Sequence, residues 1–186
     1  RGRTGKIEGL ILKKWYVLNE PFEDKKLIGY GIDFGFTNDP STLIEVRMQD
    51  GELWIKELIY ETGLTNQDLS HRMEILEVSR GALIVADSSE PKSIEELRRL
   101  RWTVDGVKKG KDSIMFGINL LKGYTINVHA GSTNLIKELE QYKWKVDRNG
   151  DSLNIPIDNY NHAIDALRYI IMHKFSKKGY GQYKVI

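Results

Sequence analysis

The sequence predicts an α/β domain in which helices cover a mixed sheet. Three observations carry that expectation. Three alternating runs come first, joined by turn-like residues; helical periods then alternate with short apolar runs; and a hairpin signal precedes one long closing helix.

The first strand is Leu27 to Phe36 (LIGYGIDFGF), which ends in an acidic stretch bounded by glycines. Thr42 to Met48 alternates as a second strand, Asp50-Gly51 is a hairpin signal, and Leu53 to Tyr60 alternates as a third, giving three antiparallel strands. Thr65 with Asp68 three residues later has the form of a capping box, opening a helix with Leu69, Met73 and Leu76 at helical spacing and Gly81 as its stop. Ala82 to Ala86 (ALIVA) is a fully apolar run suited to a buried central strand, with Asp87 at its carboxyl end. Pro91 to Arg101 reads as a charged helix and Trp102 to Val107 as a strand. Asp112 or Ser113 caps a helix through Leu121 with Gly123 as its stop, and Tyr124 to His129 forms a short strand. Ser132 opens a helix to about Tyr142. Lys143 to Ile157 is expected as a long hairpin around Asn149-Gly150, and Asn159 to Phe175 as the last helix. Residues 1–26 show only a strand-like run at Lys14 to Leu18 and are expected to be a linker or an interface with a missing amino-terminal part. Residues 27–175 are expected to be the domain, and 176–186 a loosely held tail.

Composition limits the function classes. With 186 residues, 40% hydrophobic and 29% charged, the chain can bury one core and is neither disordered nor fibrous. The absence of cysteine removes disulfides and thiolate metal sites. Apolar runs are strand-length or interrupted, so none can span a bilayer. A net charge of +2 gives no general attraction to nucleic acid, so a nucleic-acid partner would have to be held by local patches. The chain starts at Arg1 with no leader pattern, which leads us to expect a piece of a longer protein.

Three carboxylates stand out. Asp33 lies among apolar strand residues, where an isolated charge is costly unless something compensates; a metal ion would do so, and so would a loop amide. Gly31 and Gly35 flank it on one face and would leave that face open to a bulky ligand such as a phosphate. Asp87 follows ALIVA at the end of a strand, where open α/β sheets place their sites, although it could equally cap the helix near Pro91. On the last helix His162 and Asp165 are three residues apart and share a face, which is also what an ordinary polar face looks like. Asp158 would join that face if the helix began early, and otherwise serves as its N-cap. Three acids from two strands and a helix could bind two hard divalent cations, Mn²⁺ or Mg²⁺, able to activate water and stabilise the leaving oxygen in phosphodiester hydrolysis. Clustered acids should also repel, so neutralising any of them is expected to leave folding intact.

The strings GIDFGFTNDPST, IVADSSEPKSI and NHAIDALRY, in this order, resemble the nuclease domain of tailed-phage terminase large subunits, within the ribonuclease H-like superfamily. The resemblance covers about Ile28 to Lys174 and is most specific in the last string. It implies a ribonuclease H-like mixed sheet with an added hairpin. It further implies Asp33, Asp87 and Asp165 as catalytic metal ligands, His162 as a further ligand or catalytic group beside the last acid, and Asp39 as an accessory loop acid. Lys108, Lys109 and Lys111, ahead of the helix at Ser113, match a basic loop suited to grip DNA phosphates; Lys143 and Lys145 fall on a hairpin that lies near the cleft in similar nucleases. The implied activity is cutting of concatemeric double-stranded viral DNA during packaging, with little sequence preference. An ATPase part, a small terminase subunit and a portal are the implied partners, and the host cytoplasm is the implied place. The isolated domain is expected to be monomeric. The chain contains no Gly-rich loop ending in Gly-Lys-Ser/Thr, so ATP hydrolysis is not expected of it. Alternatives are a catalytically silent docking module, a junction resolvase, or one half of an actin-like ATP-binding fold, which would need a second domain.

Overall fold

A computed structural model of the chain describes residues 9–107, 110, 112–157, 159 and 161–176. Lys108, Lys109, Lys111, Asp158 and the tail from 177 onward lie outside the described residues.

Alternation in the first half becomes an antiparallel ladder. Strands β2 (Lys26–Asp33), β3 (Ser41–Gln49) and β4 (Glu52–Glu61) pair in sequence. Asp50 and Gly51 take positive φ angles of 52° and 77° in the β3–β4 turn, the backbone that an Asp-Gly pair favours. The parallel half is built from β5 (Ile84–Asp87), β6 (Val104–Val107) and β7 (Ile126–His129), and β1 (Trp15–Leu18) completes a seven-stranded sheet in the order β1-β7-β4-β3-β2-β5-β6. β5 runs parallel to β2 and to β6, while β7 runs parallel to β4 and to β1.

Helices cover both faces. α1 (Asn66–Ile75) and α2 (Pro91–Arg99) bury Leu69, Met73, Ile94 and Leu97 against Tyr30, Ile32, Ile84 and Ala86 on one side. α1 starts in the expected capping box: the Thr65 hydroxyl accepts from the Asp68 amide and the Asp68 carboxylate accepts from the Thr65 amide. On the other side α3 (Ser113–Lys122), α4 (Thr133–Gln141) and α5 (His162–Ser176) share a core with Ile44, Val46, Leu53, Ile55 and Val85. α5 is buried nearly all round, from Ala163 to Met172 with Asp165 as the break, which is the pattern of a central helix. Ile164, Leu167, Ile170 and Ile171 are fully buried, and each contributes about 1.5–3 kcal/mol of apolar burial.

Of residues 1–26, expected to be a linker or an interface, the described part from residue 10 onward packs into this body. β1 pairs with β7, and Leu10, Ile11, Leu12, Trp15 and Phe22 are buried, so the core reaches back at least to residue 10. The expected hairpin forms as β8 (Trp144–Val146) and β9 (Ser152–Pro156), a separate two-stranded ribbon. Gly150 has φ +89° in its turn, and the Asp147 carboxylate accepts from the Asn149 and Asp151 amides. Among the described residues no helix is long and apolar enough to cross a membrane.

Candidate functional site

β2 and β5 lie side by side, with Gly31 paired to Val85. Two residues further along each strand stand Asp33 and Asp87, the last residues of their strands, on the face that α5 covers. α5 brings His162 and Asp165 to the same place from its first turns. Asp33, Asp39, Asp87, His162 and Asp165 thus line one open cleft of about 690 Å³, together with Tyr60, Glu90 and Tyr169.

Each group has defined partners. His162 Nδ1 stands 3.1 Å from Asp33 Oδ2, and its Nε2 stands 3.6 Å from Asp39 Oδ1. The Tyr169 hydroxyl donates to Asp33 Oδ1 at 3.3 Å. Asp87 is 8% exposed, and its Oδ1 accepts from the Ser89 amide at 3.0 Å. It does not cap α2, whose N-cap position is Glu90. Asp165 Oδ1 accepts from Arg168 Nη2 at 2.9 Å and from its Nε at 3.2 Å. Arg168 itself is 0% exposed, and Gly117 makes room for it, since a Cβ there would lie 2.2 Å from Arg168 Cγ.

The glycines beside Asp33 serve packing. A Cβ on Gly31 would lie 1.8 Å from the Ala166 carbonyl oxygen, and one on Gly35 would lie 2.2 Å from the Asp39 carbonyl oxygen. The face expected to be open to a ligand is therefore filled by α5 and by the β2–β3 loop, and it is their close approach that sets the floor and rim of the cleft.

Lys143 and Lys145 are not among the residues lining the cleft. Lys143 bridges to Leu10, and Trp144 lies beneath the Lys122 ammonium, 4.9 Å from the ring centre. Sequence reasoning missed Glu138, Tyr60 and Tyr169. Glu138 had a legible signal: it sits on the same helical stripe as Leu135 and Leu139, where an acid in a buried row is out of place. It is 2% exposed and takes the Tyr60 hydroxyl at 2.9 Å and the Ala163 and Ile164 amides at 3.2 and 3.0 Å. Burial pushes its carboxyl up from the ordinary value, against the pull of those donors.

The hydrogen bond with Asp33 raises the His162 imidazole above its ordinary value, against an opposing pull from burial. The stabilisation from this pair is complete below the unfolded imidazole value, about 6.5, and is lost as pH rises through the elevated folded value. His162→Ala is therefore expected to lower the melting temperature more at pH 6 than at pH 9. Equal losses at the two pH values would show that the pair adds no pH-dependent stability.

Among the described residues, no three His, Asp or Glu side chains stand close enough together to hold one ion. The acids converge on the cleft, but Asp33 and Asp165 are each turned onto protein partners.

Residues 33–173 match the model of the terminase RNase H-like domain. The chain is 29% identical over 165 residues to the terminase large subunit of Bacillus phage SPP1, covering 82% of the chain and 37% of that protein. It is 26% identical over 151 residues to the PBSX phage terminase large subunit of Bacillus subtilis (strain 168), covering 79% of the chain and 34% of that protein. The chain thus spans little more than a third of these relatives. Among solved structures, the large-terminase nuclease domain of bacteriophage SPP1 with bound Mn superposes with a TM-score of 0.77 at 24% identity, over 89% of this chain and 99% of that one.

Proposed function

The chain belongs to the terminase RNase H-like domain family, and from that premise we propose that it is a divalent-metal-dependent endonuclease domain acting on double-stranded DNA. The observation that supports this most is the meeting of Asp33, Asp87 and Asp165, from two strand ends and a helix, in one polar cleft. Carboxylate oxygens suit hard cations such as Mg²⁺ and Mn²⁺, and the SPP1 nuclease domain has bound Mn. These three acids would hold the metal, with His162 and Asp39 beside them. The bound cations would supply an activated water and charge stabilisation of the leaving oxygen.

The chain's own residues do the rest. His162 and Tyr169 on Asp33, and Arg168 on Asp165, set the direction in which each carboxylate would be offered to a cation. The floor made by β2, β5 and α5 holds the acids on rigid elements. Lys108, Lys109 and Lys111 are proposed to grip phosphate, as are Lys143 and Lys145 outside the cleft; such contacts position DNA without reading bases. In the whole protein the domain would act beside an ATPase part, the small terminase subunit and the portal, cutting viral concatemers in the host cytoplasm.

Plasmid cleavage tests the reading. Nicked and linear products are expected with Mn²⁺ or Mg²⁺ and none in excess EDTA, with activity falling steeply as salt rises. Cutting that persists in EDTA would reject the metal mechanism. A silent docking module is the second reading, favoured by the lack of a ready-made three-ligand cluster among the described residues. A folded chain that cuts with neither metal would establish it.

A further inference from the structure

Two carboxylates outside the cleft stand in series behind it. Glu57, on β4, accepts from the Leu135 amide at 2.6 Å and from Asn134 Nδ2 at 2.8 Å, and so fastens the start of α4 to the sheet. One turn on, Glu138 of α4 accepts from the Ala163 and Ile164 amides, which belong to the unsatisfied donors at the start of α5. The Tyr60 hydroxyl, itself on the cleft wall, donates to the same Glu138 oxygen that takes the Ala163 amide. At α5 the side-chain oxygen that usually comes from the N-cap residue is thus supplied by another helix.

A charged side chain at this point costs desolvation that a leucine between Leu135 and Leu139 would not. What the carboxylate offers in return is geometric. Its two oxygens span consecutive amides immediately after His162 and immediately before Asp165, and α5 cannot slide or rotate at this end without breaking both bonds. Thr42 Oγ1 donates to the His162 carbonyl from the other side at 3.2 Å.

We propose that Glu138 is a positioning residue for the cleft: by capping α5 from α4 it fixes where His162 and Asp165 stand relative to Asp33 and Asp87. This inference rests on the nuclease reading above. Partners behind metal ligands characteristically cost about 10- to 100-fold in metal affinity or activity when removed, without touching the metal.

The test uses Glu138→Gln in the purified chain, read by Mn²⁺ titration calorimetry, plasmid-cleavage kinetics per folded molecule, and amide hydrogen exchange. Glutamine keeps the shape but can accept through only one oxygen, so exchange at Ala163 or Ile164 should quicken. Mn²⁺ affinity or kcat should fall about 10- to 100-fold, with KM for DNA unchanged. Should that variant fail to fold, Glu138→Asp, which keeps the charge but is one methylene short, is held to the same outcome. Wild-type Mn²⁺ affinity and kcat alongside a lowered melting temperature would overturn the proposal and leave Glu138 a core residue. If the wild-type chain itself neither binds Mn²⁺ nor cuts, the nuclease reading fails and takes this inference with it. A wild type that binds and cuts with an unaffected variant defeats the inference alone.

Discussion

Asp33→Asn, Asp87→Asn and Asp165→Asn are each expected to abolish plasmid cleavage, with rates falling by more than the roughly 100-fold that loss of an outer partner can cost. Each change keeps side-chain volume and removes a negative oxygen from the shared cleft. Stability should divide the three. The sequence alone leads one to expect that neutralising any of these acids leaves folding intact, because like charges are separated. Asp165 does not fit that expectation, since Arg168 is wholly buried and places two donors on the Asp165 carboxylate. Breaking a buried ion pair costs about 3–5 kcal/mol; asparagine retains an acceptor and Asp165 is partly exposed, so the lower end applies. Thermal melts at pH 9, where the His162–Asp33 pair contributes least, should therefore show Asp33→Asn and Asp87→Asn near the wild type and Asp165→Asn clearly below it. The assignment of the three acids as metal ligands would not survive if the Asn variants retained activity per folded molecule.

Gly31→Ala should be among the most damaging substitutions that add a single methyl group. The new Cβ would sit 1.8 Å from the Ala166 carbonyl oxygen and 2.5 Å from its carbon, both backbone atoms of the most buried helix. No rotamer change relieves such a clash, so α5 must lift from β2. Overpacking costs commonly reach about 3 kcal/mol, and this one should exceed that. Because lifting α5 also carries His162 and Asp165 away from Asp33, cleavage by the folded fraction should drop as well. Gly81→Ala is the control, since nothing lies within 4 Å of its Cβ position. Urea melts showing Gly31→Ala as stable as Gly81→Ala would mean that the helix does not press on the strand.

The sheet's antiparallel half was legible because alternation and an Asp-Gly turn specify neighbours that follow each other in sequence. The capping box at Thr65 was legible for the same reason: all its partners lie within four residues. Asp33 and Asp87 could be picked out because acids set against apolar strand runs are costly without a purpose, whereas Asp165 stood out only through its spacing from His162 and the resemblance carried by NHAIDALRY. What periodicity does not report is which distant element fills a face. Gly31 looked like room for a ligand because a missing side chain is visible in sequence, while the helix that fills the gap comes from more than a hundred residues later. β1 was only a suggestive run because its partner, β7, is equally remote, and its parallel pairing leaves no turn to read. Arg168 was hidden by the ordinary expectation that charges on helices face water, and Glu138 passed unread under the same expectation although its place on the Leu135–Leu139 stripe marked it.

The contact between His162 and Asp33 joins residues 129 apart in the chain, and this has a consequence during synthesis. A ribosome adding about 5–20 residues per second takes on the order of ten seconds to travel from the first acid to the last helix. For the later part of that interval both β2 and β5 have been made, yet the element that closes the cleft does not exist. A chain truncated before α5 carries two of the three acids, an uncovered strip of glycine-lined sheet and no complete site. Docking of α5 and assembly of the cleft are then one event, so on the proposed nuclease reading a chain lacking α5 would be unable to cut DNA nearby.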